Sequence, residues 1–283
     1  MRFHGALTAA ALMLAAAGGT ACGSAMTTRA GTGTAASQPT SSVSESTINW
    51  GQPVFTDNFS GATLSKAWSI YDDPQVAPPA PRRTRSSVMV RDGSLELIGH
   101  YQKPYGYVSG GISYNSNQTY GRWVVRFRAD AGAGYAPIVL LWPEGPWPAD
   151  GEIDLAEIGN PQRHGAGEFL HLGALKHFIG RRIPASVNFT RWHTMAVDWL
   201  PGHITFWLDG KRLWTVRRAS GGSNYVPSTP FHLALQNDEG CDAGCKTNKD
   251  TPKQVIMQVD WVRIYAAPGS AAPAATGTRQ PNG

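Results

Sequence analysis

Met195-Ala196-Val197-Asp198-Trp199-Leu200-Pro201-Gly202-His203-Ile204-Thr205-Phe206-Trp207-Leu208-Asp209-Gly210 decides the fold class. Its large apolar side chains fall at every second place, first at Met195, Val197 and Trp199, then at Ile204, Phe206 and Leu208. A strand turns successive side chains to opposite faces, so a period of two marks strands with one buried face. Asp209-Gly210 then supplies a hairpin turn, where a positive φ is needed and glycine tolerates it. The same alternation recurs outward from this stretch. Trp123, Val125 and Phe127 alternate with Val124, Arg126 and Arg128, and Val255, Met257, Val259 and Trp261 alternate with polar Gln258 and Asp260. No amphipathic helical stretch exceeds one or two turns. Many short strands with turn signals between them predict an all-β protein, a sandwich or a barrel.

Composition agrees. The chain has 283 residues, 41% apolar and only 16% charged, with 32 Gly and 20 Pro, which suits a turn-rich all-β protein better than a helical bundle. Ten Trp are enough for both a core and flat sugar-stacking faces. The net charge is +5, but the basic residues are scattered, with short runs at Arg82-Arg83, Arg181-Arg182 and Arg217-Arg218. A nucleic-acid binder gathers such residues on one helix or stripe, so no nucleic-acid partner is expected. The distribution reads as a solvated basic surface, with an anionic substrate as the alternative.

The N-terminus reads as an export signal over residues 1–21. Arg2 precedes an uncharged apolar run, Ala6 to Ala17, which is too short to span a membrane as a helix. Gly19-Thr20-Ala21-Cys22 is similar to a bacterial lipobox, with Gly19 where leucine is usual, and predicts lipidation at Cys22; cleavage without a lipid is the alternative. The product is then a cell-surface lipoprotein or a secreted protein, touching the membrane only through that anchor. Residues 22–47 form a Ser/Thr/Gly/Ala tether and 267–283 a similar tail, neither able to build a core. The folded part is 48–266, with no internal repeat, and a monomer is the default. Three cysteines are an odd number for an exported chain. Cys241 and Cys245 close a small loop disulfide, and lipidation accounts for Cys22.

Trp147-Pro148-Ala149-Asp150-Gly151-Glu152-Ile153-Asp154-Leu155-Ala156-Glu157 carries the chemistry. Ile153 and Leu155 alternate with Glu152 and Asp154, as on a strand with one core face and one cleft face. Glu157 lies five residues after Glu152, an odd offset that a regular strand sends to the opposite face. A one-residue bulge near Leu155-Ala156 brings it back. Two carboxyl groups about 5–5.5 Å apart are what a retaining glycosidase needs, one as nucleophile and one as acid and base. Like charges raise the proton affinity of one member, and a third carboxyl between them tunes the pair. Solvent-facing acids and a calcium site remain alternatives on spacing alone.

Glu152-Ile153-Asp154-Leu155-Ala156-Glu157 and its lead-in resemble the Glu-x-Asp-x-x-Glu motif of glycoside hydrolase family 16 in its bulged, laminarinase-like form. Further blocks are similar in order: Phe55–Phe59 resembles the opening strand, Ser109–Trp123 the approach to the cleft, Trp192–Gly210 the hairpin after the site, and Val259–Tyr265 the closing strand. The resemblance implies a jelly-roll β-sandwich (concanavalin A-like) whose concave face holds a glycan. It implies Glu152 as nucleophile, Glu157 as acid/base, Asp154 as assisting carboxylate and Trp147 as an aromatic wall. His171 resembles a cleft histidine on the next strand, with a structural histidine as the alternative. Trp142 stands between cleft and core, and Gln236 falls in a segment that lines the cleft. No cofactor is required for the chemistry. A structural calcium on the convex side is implied by the family, and Asp260 is similar to one ligand, with an ordinary surface acid as the alternative. Ala136 and Gly111 depart from residues usual around the cleft, so the mechanism is better founded than the specificity.

The expected function is a retaining, endo-acting glycoside hydrolase cleaving a β-1,3-glucan or a related glucan or galactan. A cell-surface transglycosylase uses the same glycosyl-enzyme with a sugar acceptor. A non-catalytic glycan-binding protein of the same fold has no need of both Glu152 and Glu157. Ser-His-Asp hydrolysis lacks its Gly-x-Ser-x-Gly turn.

Overall fold

The computed structural model describes residues 48–77, 80–173, 178–218, 226–240 and 246–269. The expected signal peptide, Cys22, the tether, the Cys241–Cys245 loop and most of the tail lie outside these residues. Sixteen strands run through the described chain. The first eight are β1 (Phe55–Asp57), β2 (Trp68–Ile70), β3 (Val88–Arg91), β4 (Ser94–Gln102), β5 (Gly106–Val108), β6 (Gly111–Tyr114), β7 (Gly121–Ala129) and β8 (Tyr135–Pro143). The second eight are β9 (Glu152–Glu157), β10 (His164–His171), β11 (Phe178–Asn188), β12 (His193–Leu200), β13 (His203–Leu208), β14 (Lys211–Arg217), β15 (Phe231–Glu239) and β16 (Gln254–Ala266). A single 3-10 turn, Arg85–Ser87, is the one helical element among the described residues.

The strands form two antiparallel sheets. One runs β14-β13-β12-β7-β16-β4-β3, with β1 on β16 and β5 on β4; the other runs β11-β10-β9-β8-β15-β6-β2. The alternation read from the sequence explains how they pack. Trp123, Val125 and Phe127 of β7, Met195, Val197 and Trp199 of β12, and Ile204, Phe206 and Leu208 of β13 all enter one buried cluster. The second sheet meets them with Val139, Leu141, Ile153, Leu155, Leu170, Leu233 and Leu235. Asp209 and Gly210 both take positive φ, 48° and 76°, as the hairpin turn between β13 and β14 demands. Polar cross-ties also join the layers: the buried Asn237 amide donates to the carbonyls of Leu97 at 3.0 Å and Val255 at 2.8 Å.

One expected alternation breaks. Val259 pairs with Phe127 and Trp261 with Arg126, so Asp260 is an extra residue in β16. A bulge reverses the facing of the residues beyond it. Val262 and Ile264 therefore enter the core, and Trp261 turns outward to meet Arg263 at 4.4 Å.

Candidate active site

The side of the seven-stranded sheet that faces away from the core carries a second, smaller apolar cluster. Ala136, Ile138 and Leu140 of β8 and Ala234 of β15 form it, with Trp142 packed against them. These are the alternate positions to the core residues of the same strands, so they floor an open face. The interstrand register lays polar side chains across that floor in rows. Glu157 lies beside Ile138, which pairs with Gln236. Asp154 lies beside Leu140, which pairs with Ala234. Glu152 starts β9 opposite His171 of β10.

The expected bulge is present. Val139 pairs with Ala156 and Leu140 with Asp154, leaving Leu155 unopposed on β9. Leu155 and Ala156 both enter the core, beside Ile153 and Ile158. Glu157 thereby returns to the face of Glu152 and Asp154. Gly151 sets the start of the strand. Its φ is 97°, and an added Cβ would lie 2.7 Å from the His171 carbonyl oxygen. Only glycine allows β9 to close against β10 there.

The three carboxyl groups share one electrostatic environment. Glu152 and Asp154 are buried, at 3% and 0% exposure, which leaves little water to solvate a charge. Desolvation first, then the Asp154 charge, raises Glu152 well above 4.5. Desolvation and the Glu157 charge raise Asp154 well above 3.8. Both Asp154 oxygens are buried without a hydrogen-bond partner among the described residues, which disfavours a charge on that carboxyl. The indole N–H of Trp147 donates to Glu152 Oε2 at 2.7 Å and favours the ionised form of that carboxyl. His171 Nε2 stands 3.4 Å from Asp154 Oδ2. Glu157 is raised from 4.5 to about 7, by desolvation first and the Glu152 charge second. The arrangement thus offers a buried carboxylate steadied by a donor, and beside it a carboxylic acid that holds its proton near neutral pH.

The other expected residues surround these acids or fall away from them. Trp142 and Trp147 stack at 5.8 Å and 16°, forming one aromatic wall beside Glu152. His171 faces the acids and contacts Phe178 at 5.2 Å. Gln236 is on the open face but only 1% exposed, because Arg83 lies over it; the Arg83 guanidinium donates to Gln236 Oε1 at 3.2 Å. Asp260 does not fit a calcium site. Its carboxylate is engaged by the Arg126 guanidinium. Among the described residues, the His/Asp/Glu group close enough to hold a cation is Glu152, Asp154 and His171 instead.

Arg83 is what the sequence did not disclose. It is fully buried, donates to both oxygens of Asp238 at 2.9 and 2.6 Å, and lies 5.1 Å over the Tyr71 ring. Asp238 in turn contributes to the raised proton affinity of Glu157. In the sequence Arg83 is half of an arginine pair, and nothing local separates it from its neighbour.

Comparisons with known proteins agree with this fold. Residues 81–263 match the family model described as Glycosyl hydrolases family 16. A keratan-sulfate endo-1,4-beta-galactosidase of Sphingobacterium multivorum is 29% identical over 238 residues, 76% of this chain and 55% of that protein. A beta-glucanase of Rhodothermus marinus is 28% identical over 169 residues, 52% of this chain and 57% of that protein. The chain thus spans about half the length of these curated relatives. The catalytic domain of an endo-1,3-beta-glucanase (laminarinase) from Thermotoga petrophila superposes with a TM-score of 0.68 at 20% identity, covering 76% of this chain and 97% of that one. That likeness shows the fold, the expected jelly-roll sandwich.

Proposed function

Because the chain belongs to glycosyl hydrolases family 16, we propose that it is an endo-acting glycosidase cleaving a β-linked polysaccharide by double displacement. The observation that carries this reading is the bulged strand β9, with Glu152, Asp154 and Glu157 on one open face.

In this reading Glu152 attacks the anomeric carbon as a carboxylate, while buried Asp154 stays protonated beside it. Glu157 gives its proton to the departing glycosidic oxygen, the carbon–oxygen bond breaks, and a glycosyl ester forms on Glu152. Glu157, now ionised, takes a proton from water, whose oxygen displaces Glu152 and restores the original anomeric configuration. Trp147 steadies the Glu152 charge before attack and after release, and with Trp142 offers a flat wall to a sugar ring.

The relatives' names, a keratan-sulfate galactosidase and a beta-glucanase, favour a galactan or a glucan as substrate. The reading includes export with a lipid on Cys22 and a Cys241–Cys245 disulfide, both to be read by mass spectrometry of the mature chain. The test of function is release of reducing ends from β-1,3-glucan, mixed-linkage glucan, xyloglucan, agar, carrageenan, chitin and keratan sulfate. Wild type and Glu157→Gln are run together, with proton NMR of the first-formed anomer. Cleavage with retention, lost in the variant, supports the proposal. Inverted product refutes the mechanism, and binding without cleavage of any substrate turns the reading to a glycan-binding protein.

A further inference from the structure

Past Glu157, on the side of β10 and β11, the open face sinks into a cavity of about 400 Å³. Glu157, Asn160, His164, Phe169, Arg182 and Pro184 border it, while Glu152 and Trp147 do not. The register explains its position. Arg182 of β11 pairs with Gly167 of β10, and Gly167 with Glu157 of β9. Neighbouring strands lie about 4.8 Å apart, so the Arg182 and Glu157 backbones are about 10 Å apart with a single glycine between them. Gly167 leaves that space clear because no other residue fits: a Cβ there would lie 2.3 Å from the Phe169 ring, which covers Gly167 and Gly180 together. Phe169 thus makes a flat apolar wall along one side of the recess.

Arg182 supplies its charge. The next residue, Ile183, is buried in the core, so strand parity turns Arg182 to the open face, where it is exposed. Its neighbour Arg181 faces the other way, 5.6 Å from the Trp214 ring and within the field of Glu168. Among the described residues no carboxylate pairs with Arg182. The Asn160 side chain is spent on the His164 backbone, with bonds of 2.9 and 2.8 Å. The arginine next in sequence to His164 is already committed elsewhere. Buried Arg163 donates to the main-chain carbonyls of Asp130, Gly132, Tyr135, Ile158 and Asn160.

We propose that Arg182 makes this recess selective for a leaving-group sugar that carries an oxyanion, a sulfate ester or a carboxylate. The inference rests on the glycosidase reading above: an acid must face the departing oxygen, so a recess bordered by the acid and not by the nucleophile holds the leaving sugar. A guanidinium binds such oxyanions in a planar, two-pronged fashion that a neutral hydroxyl does not match.

The test is calorimetric titration of the full chain carrying Glu152→Gln, alone and combined with Arg182→Met. Probes are β-linked galacto- and gluco-oligosaccharides in neutral, 6-O-sulfated and 6-uronate forms. A charged form should bind at least ten-fold more tightly than its neutral parent. Arg182→Met should reduce that preference to less than two-fold and leave neutral affinity unchanged. A response to the sulfated arm alone identifies a sulfate ester, and to the uronate arm alone a carboxylate. Equal binding of charged and neutral forms, no binding of any charged form, or a preference that survives Arg182→Met overturns the proposal. Binding is read without turnover, so a wild type that releases no reducing ends sinks the glycosidase reading separately and leaves the Arg182 result intact.

Discussion

Glu157→Gln probes the acid through stability, apart from any substrate. Burial and the Glu152 charge raise Glu157 from 4.5 to about 7 in the folded chain. A ten-fold change in proton affinity is about 1.4 kcal/mol, so keeping Glu157 ionised in the folded state costs at most about 3–4 kcal/mol. Its side chain keeps partial contact with water, which lowers the figure to about 2 kcal/mol. The sign follows from the raised value. Protonated Glu157 favours the folded state fully below 4.5, and that stability is lost as pH rises through about 7. Glutamine is neutral throughout and escapes the loss. At pH 5 the variant and the wild type should melt at nearly the same temperature. At pH 8 the variant should melt higher by roughly 4–8 °C, taking 2–4 °C per kcal/mol for a domain of this size. Differential scanning calorimetry at both pH values and one ionic strength is the assay. An equal difference at the two pH values, or a variant less stable at pH 8, would refute the account of Glu157 as a desolvated acid.

Three further outcomes are expected of the site. The kcat/KM of the wild type on its best substrate should fall as pH rises through about 7, because the departing oxygen needs protonated Glu157. Trp147→Phe preserves the ring stacked on Trp142 but removes the 2.7 Å donor to Glu152, so kcat/KM should drop by about 10–100-fold with the acid limb moved to higher pH; an unchanged profile would deny the indole its role. Arg163→Met strands five main-chain carbonyls, and chemical denaturation should show a loss of about 3–5 kcal/mol; a loss under 1 kcal/mol would mean water replaces the guanidinium.

The layers of the fold were legible because period-two patterning survives wherever a strand has one wet face. Met195 to Trp199 and Ile204 to Leu208 show this, and both enter the core as the alternation requires. The bulge in β9 was legible for a different reason: three acids at an odd offset make sense on one face only if a residue is taken out of register. The bulge in β16 was not, because Trp261 continues the apolar alternation that Asp260 interrupts in space. Long-range pairing was also hidden. Arg83 and Asp238 are 155 residues apart, and nothing local distinguishes Arg83 from Arg82 or Arg182 from Arg181. Gln236 was read as a cleft residue, and its parity is right; the guanidinium that covers it comes from that same hidden pair.

The β9 bulge yields the sharpest test of how the site is built. Along β8, Val139 opposes Ala156 and Leu140 opposes Asp154, so one residue between them is surplus to the ladder. Deleting Ala156 lets Leu155 oppose Val139 in a regular ladder. Leu155 keeps its core position, and Glu152, Asp154 and Glu157 stay on the open face. Deleting Leu155 and Ala156 together instead leaves an odd offset that sets Glu157 opposite Val139 and turns it inward, where an unpaired carboxyl costs several kcal/mol. The single deletion should therefore fold, with stability within about 3 kcal/mol of wild type and measurable cleavage, since only the carboxyl separation has changed. The double deletion should lose both the cooperative melt and activity. If the single and double deletions are equally damaging, facing is not what the bulge controls, and the single-strand account of the acid and the nucleophile fails with it.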